Sequence, residues 1–331
     1  MSSKLIEFKN LSIGYEKPLF QGLNQSVEAG EVICLIGENG VGKTTLLKTL
    51  SGLIPSLDGE IKIAGRNLKE FTAQELATQI SIVLTEREFP YGLTVLEVLE
   101  LARSPYTGFW GRLGFKDRAA LQVVIESFEL KELIGKKISD LSDGQRQRVM
   151  IARALVQETD ILILDEPTTF LDLKNQIEIF LLLKRIASQF NKTILLTSHH
   201  WELMLELSTK LWLLDHHNGV MSEMLAEDLI LSGDWETVFG IESAYFDLNQ
   251  GRFRLQACEI MPIQLVFEDE IKKRWCLNAI GKWGFFESNK AEFVIRQQGR
   301  QFVLQKGSDL LHRSHSLLEL INSLRSLSKE L

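Results

Sequence analysis

Residues Gly37-Glu38-Asn39-Gly40-Val41-Gly42-Lys43-Thr44 read G-x-x-x-x-G-K-T. Set between a strand and a helix, such a loop turns its backbone N–H groups onto phosphates at the positive end of the helix. Gly37, Asn39, Gly40 and Gly42 then form a triphosphate cradle. Lys43 reaches the β- and γ-phosphates, Thr44 offers a hydroxyl to Mg²⁺, and Thr45 adds a phosphate hydrogen bond. Farther along, Asp165 and Glu166 end the apolar run Ile161-Leu162-Ile163-Leu164. A carboxylate at the end of a buried strand needs a cation or water. Asp165 is expected to hold Mg²⁺, directly or through water, and Glu166 to orient or activate an attacking water, since phosphoryl transfer depends on positioning and charge stabilisation. A second motif, Leu141-Ser142-Asp143-Gly144-Gln145, lies about a hundred residues after the first. It is too far along the chain to belong obviously to the same cradle and raises the question of whether a second chain completes the site.

The elements that must position these groups follow from the pattern. Residues 4–13 and 26–36 read as strands, the second running into the glycine loop. Lys43–Ser51 reads as a helix ending at Gly52. Leu57–Gly65 fits a polar hairpin with Asp58-Gly59 as its turn. Residues 94–103 and 117–134 look helical and surround a glycine- and aromatic-rich stretch with Tyr106, Phe109 and Trp110. The runs Ile161–Leu164 and Thr193–Thr197 lack polar alternation, as strands of a parallel sheet buried on both faces do. Leu211–Leu214 is a third run, after a helical segment near 200–208. Beyond Gln250 a strand near 263–267, a helix near 269–279, strands 292–296 and 302–305 and a helix 314–328 give β-α-β-β-α, a separate small α+β module.

With 331 residues, 45% of them apolar and 24% charged, the chain fits one large domain and a smaller one. The net charge of −7 argues against binding nucleic acid through a broad basic face. Residues 257–331 carry eleven basic and nine acidic side chains, so no polybasic tail is present. The three cysteines, Cys34, Cys258 and Cys276, show no metal spacing and read as buried thiols. No signal peptide or apolar run of about 18 residues occurs, so a cytoplasmic location is expected, with any membrane role supplied by a partner.

In order, the glycine loop, LSDGQ, ILILDEPT, FLD and a strand-end histidine resemble the ATP-binding subunit of ABC transporters over residues 4–250. The resemblance implies an α/β fold: an ABC-type P-loop ATPase with a mixed sheet core, a helical subdomain at about 86–145 and the α+β module at 257–331. It implies an ATPase using ATP and Mg²⁺, and a head-to-tail homodimer in which each ATP lies between one subunit's glycine loop and the other's LSDGQ helix. Tyr15 matches the adenine-stacking aromatic, with a packing tyrosine as the alternative. Ser142, Gly144 and Gln145 match the segment touching the partner's γ-phosphate. Asp143 stands where glycine is commoner and is expected to cap its own helix. Asp172 matches the loop crossing the dimer interface, and His199 the switch histidine at the γ-phosphate. His200, with His216 and His217, reads as solvated or capping rather than metal-binding. The lid glutamine is missing. Thr85 aligns with it, reaching Mg²⁺ through water, and Glu86 is the other substitute.

Residues 93–106 look like the segment that receives the permease in importers of ferric siderophores, haem and cobalamin. Phe89, Pro90 and Tyr91 border that groove, extended by Tyr106, Phe109 and Trp110 unless these pack within the subdomain. The resemblance implies a subunit powering an integral-membrane permease at the inner face of the cell membrane, fed by a substrate-binding protein. A soluble ABC ATPase of an assembly or regulatory complex, such as iron–sulfur assembly, is the alternative. The aromatic-rich 257–331 module suits core packing, a dimer contact or regulation.

Overall fold

The computed structural model describes residues 4–85, 92–108, 111–215, 219–233, 244–247, 252–255, 260–299 and 301–330. The chain opens with two long antiparallel strands, β1 (Lys4–Gly14) and β2 (Pro18–Glu28), followed by β3 (Val32–Ile36). The stretch 26–36 is therefore two strands, not one. It breaks at Gly30, whose φ is 82°, and β3 joins a different sheet.

Helix α1 (Lys43–Leu50) follows the glycine loop, then β4 (Asp58–Ile63) and β5 (Arg66–Asn67). Asp58-Gly59 does not make the hairpin turn. It starts β4 beside a register shift in β1 between Lys9 and Ser12, and the turn is Ala64-Gly65, whose φ values of 48° and 83° are the pair a tight hairpin needs. Next come α2 (Ala73–Leu76), β6 (Ile80–Val83) and the helical insertion: α3 (Val95–Leu101), α4 (Phe115–Ser127) and α5 (Asp143–Val156). Helix α4 stops seven residues short of the expected 134, with Glu129 at φ 54° just after it. The unit continues with β7 (Ile161–Leu164), α6 (Leu173–Phe190), β8 (Thr193–Thr197), α7 (Trp201–Leu207), β9 (Lys210–Asp215), β10 (Val220–Met224) and α8 (Ala226–Ser232).

Two sheets result. One is antiparallel, in the order β2-β1-β4-β5. The other, β10-β9-β3-β8-β7-β6, is parallel except for the edge strand β10. Its strands β3, β7 and β8 are buried at every residue, which explains their unbroken apolar sequences. Side chains from both sheets and from α1 share one core, where Phe8 meets Trp212 edge to face at 5.6 Å. That core fixes the carboxyl ends of β3, β7 and β8, where the chemistry gathers.

A short pair, β11 (Ala244–Asp247) and β12 (Arg252–Leu255), follows. The C-terminal elements are β13 (Met261–Val266), α9 (Glu270–Gly281), β14 (Phe285–Glu287), β15 (Phe293–Gln298), β16 (Gln301–Lys306), β17 (Asp309–Ser314) and α10 (Leu317–Glu330). The sheet order is β14-β13-β15-β16-β17, so the module has two strands more than its sequence pattern indicates. Strand β14 is three residues long and β17 is mostly exposed, so neither shows a clear alternation. The module has its own core around Ile263, Ile295, Leu304 and Leu324. The chain thus divides into two compact units, Met1–Glu242 with Phe246–Arg252, and Ser243–Tyr245 with Phe253–Leu331. Among the described residues no helix is long and apolar enough to cross a membrane. Glu86, Phe89, Pro90, Tyr91, Phe109, Trp110, His216, His217 and Cys258 lie outside the described residues.

Candidate functional site

The glycine loop is pressed against β9. A Cβ on Gly37 would stand 2.6 Å from the Leu214 carbonyl oxygen, and the residue's φ of 142° independently favours glycine. Helix α1 starts at Lys43 with Gly42 as its N-cap and no side-chain cap, as is also true of α4, α7 and α8, whereas α2, α3, α5, α6 and α9 are capped by Thr72, Thr94, Ser142, Asp172 and Asp269. Uncapped first-turn N–H groups leave donors for an anion. Lys43 is buried, and its Nζ donates to the carbonyls of Gly37 at 2.9 Å and Glu38 at 2.8 Å. Burial lowers its pKa, while Glu166 and Asp165 pull it back up. Thr45 is 7% exposed inside α1 and its carbonyl accepts from the Thr49 hydroxyl. Asn39 and Gly40 are exposed.

Asp165, 4% exposed, sits where β7 ends. Three hydroxyls converge on its carboxylate: Thr44 Oγ1 donates at 3.0 and 2.9 Å, Thr85 Oγ1 at 3.1 Å and Thr197 Oγ1 at 2.7 Å. Thr85 also donates to the Asp165 carbonyl at 2.9 Å. The structure therefore brings Thr44, Asp165 and Thr85 into one cluster, though they come from three separate stretches of sequence. Thr197 was missed by sequence reasoning. Its signal was a polar side chain after the apolar run Ile194-Leu195-Leu196, two residues before the histidine.

Glu166 has a φ of 48°, a left-handed conformation that a non-glycine residue holds only when its surroundings enforce it. Its N–H donates to Thr197 Oγ1 at 2.8 Å, and Thr169 Oγ1 donates to Oε2 at 2.8 Å. The other oxygen, Oε1, lies 2.7 Å from His199 Nε2. His200 follows, its pKa lowered first by burial and then by His199. A carboxylate held at both oxygens, beside a hydroxyl-lined aspartate, is an arrangement that can align a water for in-line attack on a phosphate.

The second motif, residues 141–145, here termed the signature segment, opens α5. Ser142 is the N-cap and accepts from the Gln145 N–H at 3.3 Å, while Gln145 Oε1 accepts from the Ser142 N–H at 3.2 Å. The cap expected from Asp143 is thus supplied by Ser142. Asp143 is the first helical residue, and it pairs with Arg146 at 2.9 Å. Gly144 is buried, and a Cβ there would stand 2.4 Å from Asn175 Oδ1 on α6. Asp172 caps α6 by accepting from the Asn175 N–H at 2.8 Å. Among the described residues, no hydrogen bond of Ser142, Gln145 or Asp172 reaches the Asp165 cluster. Tyr15 lies between β1 and β2 and is 64% exposed. Tyr106 donates its hydroxyl to the Gln157 carbonyl and lies against Arg103, so it packs within the helical insertion.

Residues 20–169 match the ABC transporter family. An uncharacterized ABC transporter ATP-binding protein of Methanocaldococcus jannaschii is 35% identical over 253 residues, 76% of this chain and 87% of that protein. The iron(3+)-hydroxamate import ATP-binding protein FhuC of Bacillus subtilis is 40% identical over 192 residues, 58% of this chain and 71% of its own. The petrobactin import ATP-binding protein FpuC of Bacillus anthracis is 32% identical over 242 residues, 72% of this chain and 87% of its own. A structure described as an inward-facing metal-chelate type ABC transporter superposes with a TM-score of 0.64 at 25% identity, covering 77% of this chain and 98% of that one. A dimeric ATP-binding cassette with ADP and Pi, in a post-hydrolysis state, superposes with a TM-score of 0.58 at 26% identity, covering 67% and 98%. The chain belongs to the ABC transporter family, as an ATP-binding subunit with ATPase activity.

Proposed function

We propose that the chain powers a membrane permease that imports metal chelates of the siderophore, haem or cobalamin type, iron–siderophore complexes first among them. The observation that carries the ATPase half is the Asp165 cluster standing beside the Glu166–His199 pair. The substrate class is supported by the relatives, whose names specify hydroxamate and petrobactin import. The active form is a homodimer at the inner face of the membrane, held there by the permease, which a substrate-binding protein supplies.

In this reading Tyr15 stacks on adenine, and Gly37, Asn39, Gly40, Gly42, Lys43 and Thr45 hold the phosphates. Glu166 orients the water while His199 steadies Glu166 and meets the γ-phosphate. Ser142, Gly144 and Gln145 receive the γ-phosphate of ATP bound to the partner, and Asp172 lies at the subunit boundary. The donor set around Asp165 is all oxygen and suits Mg²⁺, with Thr44, Asp165 and Thr85 as the residues that hold it. Mg²⁺ held by these residues would supply charge neutralisation for the phosphates.

Residues 1–250 carry this function, and 257–331 form a small α+β module to which this reading assigns no role. The deciding test is ATP hydrolysis with and without Mg²⁺, by the chain alone and reconstituted with a metal-chelate permease. Absence of Mg²⁺-dependent turnover in both settings contradicts the enzymatic reading. Turnover stimulated by a siderophore-loaded binding protein supports the substrate class.

A further inference from the structure

Helix α5 starts with a charge that its role disfavours. In the composite site proposed above, on which this inference rests, the first turn of α5 meets the γ-phosphate of ATP held by a second copy. Asp143 places a carboxylate, 60% exposed, at that mouth. A carboxylate facing a triphosphate across a closing interface opposes closure.

The neighbouring arginine is held unusually well. Arg146 Nη1 donates to Asp143 Oδ1 at 2.9 Å, Nη2 donates to the Leu141 carbonyl at 2.9 Å, and Nε donates to the Ile138 carbonyl at 3.4 Å. Its side chain is 20% exposed, so the guanidinium is anchored by the backbone leading into the helix. An ordinary exposed ion pair contributes little because two free side chains must be ordered to make it. Here the carbonyls have already ordered the arginine, and the pair is preorganised. Asp143 and Arg146 also line a small cavity of about 50 Å³ shared with Thr85, Glu166 and Thr169 of the same chain. Arg146 is the one cationic side chain lining that cavity, among the described residues, and Asp143 and Glu166 are its two carboxylates.

We propose that Arg146 is a positioning residue that neutralises Asp143, so that a signature segment carrying aspartate accepts the γ-phosphate of ATP bound by a second copy of the chain. Asp143 and Arg146 therefore act as a unit, and removing the arginine alone leaves a bare carboxylate in the closing interface.

The test uses the full chain carrying Glu166→Gln, which stops hydrolysis, and follows ATP-induced dimerisation by light scattering as ATP is raised. Adding Arg146→Gln should raise the ATP concentration for half-dimerisation about tenfold. Binding of a fluorescent ATP analogue to the monomer should not change. Adding Asp143→Gly as well should return half-dimerisation to within about twofold of the parent, a rescue expected of charge neutralisation but not of a lost backbone brace. Dimerisation unaffected by Arg146→Gln, or a double variant as defective as the single, overturns the inference. Asp143→Asn with Arg146 intact is the second variant, for use if Arg146→Gln does not fold. It should dimerise at no more ATP than the parent, and a tenfold rise there would show that the carboxylate itself is needed. A Glu166→Gln parent that binds ATP and stays monomeric contradicts the composite site itself, a failure distinct from the others because it appears before Arg146 is touched.

Discussion

Glu166 Oε1 and His199 Nε2 stand 2.7 Å apart, while Thr169 occupies the other carboxylate oxygen of Glu166. The carboxylate is thus aimed rather than free to rotate. Glu166→Gln should lower ATP turnover by about 100-fold or more, within the range for losing a general base, and leave ATP binding intact. Phosphate release measured beside nucleotide binding checks this, and undiminished turnover would remove Glu166 from its role.

The Thr85 hydroxyl reaches both the carbonyl and the carboxylate of Asp165. Thr85→Val keeps the shape and removes the hydroxyl. The Mg²⁺ concentration for half-maximal turnover should rise about fivefold, and the fold should lose about 1 kcal/mol with the hydrogen bonds. A Mg²⁺ titration of turnover and a thermal melt read the two effects separately. An unchanged titration would confine Thr85 to a structural role.

Arg103, 2% exposed, ties α4 to the end of α5 within the helical insertion through Asp117 at 2.8 Å, Glu158 at 2.7 Å and the Val156 carbonyl. The Gly114 N–H, together with Arg103, lowers the pKa of Asp117. A depressed carboxylate contributes stability that is present above its unfolded pKa of about 3.9 and is lost as pH falls through the folded value. Asp117→Asn should therefore destabilise the chain at pH 7 by about 3 kcal/mol, the low end for breaking a buried pair, because Arg103 keeps Glu158 and Val156. It should also flatten the loss of stability below about pH 4. Denaturant melts from pH 7 to pH 3 test both parts.

Burial raises the thiol of Cys34, and it pushes that of Cys276 up to about 12. The folded state thus keeps these protons, and the associated stability is complete below the unfolded thiol pKa of about 8.5 and declines as pH rises above it. At pH 8 iodoacetamide should leave both residues unmodified in the native chain and alkylate both after denaturation. Peptide mass mapping decides, and rapid native labelling of Cys34 would contradict its burial.

The chemistry was more legible in the sequence than the architecture that supports it. Lys43, Thr44, Asp165 and Glu166 announce themselves because phosphate and metal chemistry tolerate few residue types. Thr197 and Thr169 did not, since a threonine at a strand end or in a turn is ordinary until its partner is known. The parallel strands were legible because burial on both faces erases polar alternation. The hairpin was misplaced because Asp-Gly suits a strand start at a register shift as well as a turn, and Ala64-Gly65 carries a weaker signal. Strands β14 and β17 were hidden by shortness and exposure. The Asp143–Arg146 pair needed the helix start to be known, since an i,i+3 contact exists only once the helix does.

Lys43, tied to the carbonyls of Gly37 and Glu38, makes the glycine loop a latch closed on itself. The arch is shaped when the chain folds, so a nucleotide arrives at a loop already formed. On the proposed reading of Lys43, capture amounts to ligand substitution at one ammonium group, phosphate oxygens for peptide oxygens. The entropy of loop ordering belongs to folding, and the affinity for nucleotide is spared it.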